Sequence, residues 1–188
     1  MSTDLTGILS ALVVVVLAAF GVVVGRRGAR NRSGAGSRVA VPTAVDSPGS
    51  DGGTATIEVD PRTVRTLRLA YAPQRDGQPD AGEVVWTWVP YAERDGRGKD
   101  RPVLVIARQT PDRFYAVKLT SVSHDGDRDF LSLGSGPWDA QGRESWVDVD
   151  QLYSVHAGGV RREAAALDRA RFERVAGVLQ KRFGWSAP

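Results

Sequence analysis

The chain has 188 residues, enough for one domain of ordinary size with extensions. Its 25 Lys and Arg residues nearly balance 22 Asp and Glu residues, so the formal charge of +3 creates no large net field. The absence of cysteine excludes disulfides, thiolate metal sites and cysteine catalysis, and two histidines cannot build a zinc site alone. We therefore expect no His/Cys metal site and no cofactor.

The first informative segment is an uncharged apolar run over residues 5–25. It is about long enough to cross a bilayer as a helix. A signal peptide would place positive charges before the run, whereas Arg26 and Arg27 follow it. Because basic residues stay on the cytoplasmic side, residues 1–25 predict a single-pass membrane helix with the C-terminal domain in the cytoplasm. A buried core helix is the alternative, but the run is apolar on all faces.

Residues 26–80 form a basic stretch followed by a segment rich in Gly, Ser and Pro, with few aromatic residues. This composition is typical of a flexible linker. Within it, Asp60 followed by Pro61 is a helix start, and Val64 and Leu67 would give it a small apolar stripe. The sequence therefore predicts a linker that contains at most one short helix.

The folded domain is expected to occupy residues 81–188. Alternating apolar residues predict a strand over residues 82–90, with further strands at 102–107, 113–121, 130–133 and 145–149. From Asp168 to Phe183, apolar residues recur at helical spacing and predict a closing helix. Short strands followed by a helix predict a mostly β fold, a small SH3-like barrel with a C-terminal α-helix.

The strands at 102–107 and 113–121 can form a hairpin. If Ala107 pairs with Phe114, the same register places Arg101 opposite Thr120, with Cβ atoms about 5 Å apart. Arg101, Lys118 and Thr120 then share one face at the open end, although a slip of one residue would reverse the faces. The opposite face would carry an apolar core made of Leu104, Ile106, Tyr115, Val117 and Leu119.

A guanidinium next to hydroxyl groups suits a phosphate. RNA supplies its own nucleophile, the 2′-OH, and its cleavage without a metal requires proton transfer and stabilisation of the extra charge in the transition state. Arg101 fits the stabilising role, with Thr120 or Ser121 in support. On the residues alone, an Arg beside a Thr on a solvated strand face is the more common explanation.

Four segments, GEVVWTWVP, GKDRPVLVI, KLTS and SWVDVDQL, resemble in order the PemK/MazF-type toxins of bacterial toxin–antitoxin systems. The resemblance extends from about residue 82 to 185, and the opening YAPQRDGQPDAGEVVWTWVPY looks like an actinobacterial branch with an N-terminal apolar segment. It implies an SH3-like barrel, commonly a homodimer. The implied activity is metal-independent, sequence-selective cleavage of RNA through a 2′,3′-cyclic phosphate, inhibited by an antitoxin protein in the RNA groove.

The resemblance also assigns residues. Its catalytic positions correspond to Arg101, Thr120, Ser121 and Asp150, the last of which assists as a base in some members. Arg97 and Lys99, together with Arg94, lie in a loop that would grip the RNA backbone, and Lys118 joins the cluster through the hairpin register. A solvated loop balanced by Glu93, Asp95 and Asp100 is the alternative for these cations.

Asp148 stands where some members of the family carry an arginine, and a second negative charge there would disfavour phosphate. Residues 124–145 are also acidic. These features, with the membrane anchor, motivate an alternative function: a catalytically silent module of the same fold that is anchored at the membrane and binds RNA or a protein partner.

Overall fold

The computed structural model of the protein describes residues 47–74, 76–93 and 95–187, and only the backbone of residues 162–164. In this part of the chain, no helix is long and apolar enough to cross a membrane. The membrane helix predicted for residues 1–25, the first part of the predicted linker (residues 26–46) and Arg94 lie outside the described residues.

The described part of the chain is mostly β, with an α-helix near its C-terminus. The strands are β1 (Ile57–Val59), β2 (Glu83–Pro90), β3 (Gly98–Arg108), β4 (Arg113–Thr120), β5 (Phe130–Gly134), β6 (Ser145–Asp148), β7 (Leu152–His156) and β8 (Val160–Ala166). The helix α1 spans Arg169–Phe183, and short 3₁₀ helices span Gly52–Thr54, Pro61–Thr63 and Ala157–Gly159.

The strands form an antiparallel sheet with the order β1-β7-β4-β3-β2-β8. The end of β4 leaves this path and pairs with β6, which in turn pairs with β5. Thr56, which precedes β1, contacts Thr87 of β2 through their hydroxyl oxygens at 3.1 Å, although β1 and β2 are not neighbours in the order. The sheet is therefore curled upon itself, in agreement with the small barrel predicted from the short strands.

Apolar side chains are buried on both faces of the sheet. The first cluster packs against α1 and contains the predicted core residues Leu104, Ile106, Val117 and Leu119, with Tyr115 at its margin. The second cluster contains Val103, Val105, Phe114, Ala116 and Tyr153. The face predicted to be the core of the hairpin is confirmed, and the opposite face is also buried except at its open end.

The five predicted strands and the closing helix are all present. Asp168 caps α1 by accepting a hydrogen bond from the backbone N–H of Arg171 at 2.9 Å, and the helix ends at Gly184 in the left-handed conformation (φ 75°). The strand that was predicted from residue 102 begins earlier, at Gly98. Strands β1, β7 and β8 were not predicted, since β1 is very short and β8 has the composition of a helix.

The segment before residue 80 differs from the flexible linker predicted for residues 26–80. Leu67 and Leu69 are buried in the core next to α1, and the N–H of Leu69 donates to the carbonyl of Ser186 at 2.9 Å. The indole of Trp185 donates to the carbonyl of Val64 at 2.8 Å. Composition did not predict this order because each apolar residue packs against the distant sheet and helix. The predicted short helix is a 3₁₀ turn capped by Asp60.

Candidate functional site

The hairpin of β3 and β4 sets the position of the candidate site. Near its open end, the predicted register is found in the pairs Val103–Lys118, Leu104–Val117 and Val105–Ala116. Close to the turn, a register shift makes Ala107 pair with Tyr115 and not with Phe114, so the pair on which the prediction was based is wrong. The predicted register therefore holds from Val105 to Val103, two residues short of Arg101.

At Pro102, strand β3 stops pairing with β4 but continues to pair with β2. The ladder between β2 and β3 continues to Gly98, whereas the ladder between β3 and β4 ends at Val103. Proline has no backbone N–H and cannot donate to a neighbouring strand. The loss of pairing with β4 at this point agrees with that missing donor.

Beyond Pro102 the strands diverge. Arg101 lies opposite Thr87 of β2, and Thr120 lies opposite Trp146 of β6. The predicted cross-strand pair of Arg101 and Thr120 is therefore not formed. Instead, both residues line the same cavity, which separates the two strands.

This cavity, here called cavity A, has a volume of about 250 Å³. The predicted site residues on its wall are Lys99, Arg101, Thr120 and Ser121, and the remaining polar and aromatic lining includes Trp86, Asp100, Trp138, Asp139, Arg143 and Ser145. The hydroxyl oxygen of Thr120 accepts the N–H of Val122 at 3.2 Å, which leaves its proton available for a ligand. Cavity A therefore brings together the Arg101 guanidinium, the Lys99 ammonium and the hydroxyl groups of Thr120 and Ser121.

The two carboxylates on the wall of cavity A are paired with other residues. Asp100 lies 3.0 Å from the Nε of Arg161, and Asp139 lies 2.9 Å from the Nε of Arg143. Among the described residues, no carboxylate lies within ion-pair distance of Arg101. Within the described part of the chain, the partly buried Arg101 guanidinium thus has no direct carboxylate partner.

Arg101 also lines a second cavity, here called cavity B, of about 460 Å³. Its other lining residues are Glu58, Pro90, Tyr91, Ala92, Glu93, Arg97, Lys118, Gln151 and Tyr153. Of the predicted binding residues, Lys99 therefore lies in cavity A, and Arg97 and Lys118 lie in cavity B. Arg101 is the predicted site residue shared by the two.

The cations of cavity B are partly compensated. Arg97 pairs with Asp95 at 2.6 Å on the exposed loop, where its backbone N–H and then its guanidinium hold the pKa of Asp95 below the ordinary value. Lys118 lies 3.3 Å from Asp148 and donates to the side-chain oxygen of Gln151 at 2.8 Å. Cavity B thus carries less unbalanced positive charge than its lysine and arginines alone would provide.

Gln151 connects Lys118 to Tyr153. Its amide oxygen accepts from Lys118 and, at 2.8 Å, from the hydroxyl of Tyr153. Burial raises the pKa of Tyr153, with further increases from Glu58 and Asp148 and a decrease from Arg101, so the phenol stays protonated at neutral pH. Since both neighbours are donors, the amide oxygen must face them, which leaves the amide nitrogen of Gln151 as a donor for a ligand.

Asp150 is separated from the other predicted catalytic residues. Its carboxylate accepts from Arg182 of α1 at 2.9 Å and lies 3.9 Å from Arg62, and it is not among the lining residues of cavity A or cavity B. Arg182 also pairs with Asp129. The geometry joins Asp150 to a surface ion-pair network.

Three residues of cavity B were missed by the sequence reasoning: Glu58, Gln151 and Tyr153. Glu58 belongs to β1, whose three residues give no periodic signal. Tyr153 lies in the unpredicted strand β7, and Gln151 immediately precedes that strand. The segment SWVDVDQL did contain Gln151, but no property of the sequence showed that its amide bridges Lys118 and Tyr153.

Comparison with protein-family models matches residues 80–183, more than half of the chain, to the "PemK-like, MazF-like toxin of type II toxin-antitoxin system". Among solved structures, the chain is similar to a MazE–MazF complex (form II) from Deinococcus radiodurans, at 22% identity over 56% of this chain and 96% of that chain, with a TM-score of 0.45. It is also similar to the Mycobacterium tuberculosis toxin MazF-mt6, at 14% identity over 55% of this chain and 98% of that chain, with a TM-score of 0.43. No curated protein matches the chain.

Proposed function

Because the chain belongs to the family of PemK-like, MazF-like toxins of type II toxin–antitoxin systems, we propose that it is a metal-independent endoribonuclease that cleaves single-stranded RNA at cavity A. One observation carries this proposal: Arg101, Thr120 and Ser121 line one cavity, although they come from different strands and the following loop. A similar solved structure, at 14% identity, is described as an endoribonuclease in complex with its cognate antitoxin from a mycobacterial species.

The proposed reaction is an attack of the RNA 2′-oxygen on the adjacent phosphorus. The O2′–P bond forms and the P–O5′ bond breaks, which leaves a 2′,3′-cyclic phosphate and a 5′-hydroxyl. The leaving O5′ gains one proton in place of the one that the 2′-OH loses, so the reaction consumes no net acid or base. In the transition state, negative charge builds up on the non-bridging phosphate oxygens. Stabilisation of this charge is commonly the largest catalytic contribution of a site.

Arg101 is assigned to that charge because a guanidinium can donate two parallel hydrogen bonds to a phosphate. Thr120 and Ser121 add neutral donors on the opposite wall, and Lys99 adds a point charge at the exposed edge. The ion pairs of Asp100 with Arg161 and of Asp139 with Arg143 support this assignment, since they compensate the acidic charge beside the phosphate.

Asp150 was assigned as a base from the resemblance alone. Its pairing with Arg182 and Arg62 outside both cavities gives no support for proton transfer at cavity A. The proposal therefore leaves Asp150 with a structural role on the surface.

The partners follow from the family and the sequence. We infer that a type II antitoxin protein inhibits the chain, that the active form is a homodimer, and that the apolar segment at residues 5–25 tethers the domain to the cytoplasmic side of a membrane. These inferences extend the proposal and are not needed for the chemistry at cavity A.

The test is incubation of the full chain, in mild detergent and EDTA, with a long single-stranded RNA. We expect discrete fragments, and a rate about 100- to 1000-fold lower for Arg101→Ala, the range found when one donor to an oxyanion is removed. Arg169→Ala is the control for the loss of one arginine, since Arg169 lies exposed on α1, is paired with Glu173 and lines neither cavity. Intact RNA with a folded wild-type chain would refute the ribonuclease and favour the silent, membrane-anchored binding module.

A further inference from the structure

Among the described strands, only β2 pairs with β3 at Arg101. The ladder between β3 and β4 ends at Val103, whereas the ladder between β3 and β2 continues past Arg101, which lies directly opposite Thr87. Directly opposed residues share a face of the sheet and have Cβ atoms about 5 Å apart. The position of Arg101 therefore depends on the part of β2 that contains Thr87.

Two buried hydrogen bonds hold Thr87 in place. Its hydroxyl donates to the carbonyl of Gly159 at 3.0 Å, and its hydroxyl oxygen lies 3.1 Å from that of Thr56. Because a hydroxyl has one proton, and Thr87 directs its proton to Gly159, Thr56 is the donor in the second bond. Thr56 and Thr87 are 5% and 0% exposed, so water does not replace either bond. Thr56 thus fixes β2 next to Arg101.

Residues 49–59, here called the N-terminal segment, carry Thr56 and pack closely against Gly159. A Cβ atom on Gly159 would lie 2.7 Å from the carbonyl oxygen of Thr54 and 2.9 Å from the Cα of Gly49. Only a glycine permits an approach this close. The backbone of the N-terminal segment is therefore in direct contact with the acceptor of the Thr87 hydroxyl.

Arg113 of β4 attaches the N-terminal segment to the sheet. Its guanidinium donates to the carbonyls of Gly53 and Ala55 at 3.0 and 3.1 Å, and to the hydroxyl of Ser154 in β7 at 3.1 Å. On the other side of Thr56, the three residues of β1 pair with β7. The N-terminal segment is thus joined to the sheet both before and after Thr56.

A bulge in β8 anchors the residue that precedes Arg101. The register between β2 and β8 shifts between Trp86 and Thr87, which leaves Arg161 as an extra residue in β8. A bulge changes the direction of a side chain and is common next to functional sites. The Nε of Arg161 lies 3.0 Å from the carboxylate of Asp100. Strand β3 is therefore anchored a second time from the side of β2.

We propose that the N-terminal segment positions Arg101 for catalysis, with Thr56 acting through Thr87 as a positioning residue. The segment precedes residue 80, where the match to the toxin family begins, so the family match does not include it. Removal of the Thr56 hydroxyl leaves the oxygen of Thr87 without its donor and loosens β2 where it supports Arg101. This inference rests on the proposed function, because Arg101 is the residue assigned to the phosphate of the RNA.

The test compares Thr56→Val, which removes the hydroxyl and nearly keeps the shape of the side chain, with Thr56→Ser, which keeps the hydroxyl. In steady-state cleavage of RNA by the full chain in detergent, we expect Thr56→Val to lower kcat about 10-fold and to change KM less than about 3-fold, since a misplacement of about 1 Å costs up to about 100-fold. Thr56→Ser should restore most of the loss. Thr66→Val, the same change at an exposed position, should keep the wild-type kcat.

A double-mutant cycle with Arg101→Ala distinguishes positioning from a role in the fold alone. If Thr56 acts through Arg101, Thr56→Val should have less than about a 2-fold effect once the guanidinium is absent, because changes to one interacting unit are not additive. Equal losses from Thr56→Val with and without the Arg101 guanidinium would overturn the proposal. A wild-type kcat in Thr56→Val would also overturn it.

Arg113→Lys is the second variant, and it decides the proposal if Thr56→Val does not fold. It retains the charge but cannot make all four hydrogen bonds of the guanidinium, so it weakens the attachment of the N-terminal segment without changing the buried hydroxyls. We expect it to lower kcat about 3-fold, and only in chains that contain Arg101. An effect that adds to that of Arg101→Ala would refute the positioning role.

Binding separates this proposal from the ribonuclease. The same cycle is measured by fluorescence anisotropy with a fluorescein-labelled single-stranded RNA whose 2′-fluoro sugars lack the nucleophile. We expect Thr56→Val to weaken binding about 3-fold, and only in chains that contain Arg101. This dependence in a chain that cleaves no RNA would support the positioning and refute the ribonuclease. Cleavage with additive effects of Thr56 and Arg101 would refute the positioning and leave the ribonuclease intact, and a folded chain that neither binds nor cleaves RNA would overturn both.

Discussion

The ammonium of Lys118 lies 3.3 Å from the carboxylate of Asp148, and both side chains are largely shielded from solvent. The other oxygen of Asp148 accepts the backbone N–H groups of Asp150 and Gln151 at 3.0 and 3.2 Å, which fixes the turn between β6 and β7. The charge that counted against phosphate binding in the sequence is thus compensated within the fold. Asp148 also holds Gln151 where it bridges Lys118 and Tyr153.

We expect Asp148→Ala to lower the free energy of unfolding by about 2 kcal/mol or more, since it removes the counter-charge of the Lys118 ammonium and the acceptor of two backbone N–H groups. Asp150→Ala, two residues away on the surface, should cost less than about 1 kcal/mol. Urea unfolding of the full chain, followed by tryptophan fluorescence, measures both. Equal losses in the two variants would contradict the buried role of Asp148.

The position of Asp150 gives a kinetic prediction. Because its carboxylate contacts Arg182 and Arg62 and lines neither cavity, Asp150→Asn should retain RNA cleavage within about 3-fold of the wild-type rate. A general base typically contributes about 100-fold or more to a rate. Single-turnover cleavage measures the difference, and a loss of that size would restore Asp150 as the base implied by the family resemblance.

Asp80 gives a pH prediction. Burial, followed by the nearby Asp76, raises the pKa of Asp80 above its ordinary value, although Arg108 opposes this at 3.5 Å. A raised pKa in the folded state means that the protonated form is favoured, so the stability is present at low pH and is lost as pH rises through the folded pKa. Asp80→Asn should therefore gain stability relative to the wild type between pH 4 and pH 7.

The measurement is the free energy of unfolding of both chains at several pH values. Asp112→Asn, on the exposed loop between β3 and β4, controls for the removal of one negative charge. A stability difference between Asp80→Asn and the wild type that stays constant with pH would show that Asp80 is not penalised by its burial.

Asp168 predicts a pH dependence of stability opposite to that of Asp80. The N–H of Arg171, which it caps, holds the pKa of Asp168 below its ordinary value. Its contribution is therefore present above the unfolded pKa and is lost as pH falls through the folded one. At pH 7, Asp168→Ala should lower the free energy of unfolding by about 1 kcal/mol, and Asp168→Ser should retain most of it. The deficit of the alanine variant should shrink below about pH 4. Identical losses in both variants would argue against capping.

The strands could be predicted from the sequence where apolar residues alternate, as in β2, or follow one another in a short run, as in β3. The end of the pairing between β3 and β4 at Pro102 could not be predicted, because a register extrapolated from the sequence does not show where the ladder stops. The structure ends the ladder at Val103, and the cavity between Arg101 and Thr120 exists because of that break. Arg101 and Thr120 were predicted to be a cross-strand pair, but they lie on opposite walls of cavity A.

The segment before residue 80 shows a second limit. Glu58 lies in a stretch whose composition is typical of a linker, and its position depends on pairing between β1 and β7, about a hundred residues apart in the chain. Asp148 and Asp150 show a third limit. Asp148 is buried against Lys118 and Asp150 is half-buried beside Arg182, and no local pattern separates them.

The chemistry at Arg101 and Thr120 can be tested most directly on a defined substrate. Once a cleavage position is mapped, an RNA with a single 2′-deoxynucleotide on the 5′ side of the scissile phosphate removes the proposed nucleophile. We predict that this RNA stays intact while the all-ribose RNA gives fragments whose mass shows a 2′,3′-cyclic phosphate. Cleavage of the deoxy-substituted RNA at the same position and rate would contradict attack by the 2′-OH at cavity A.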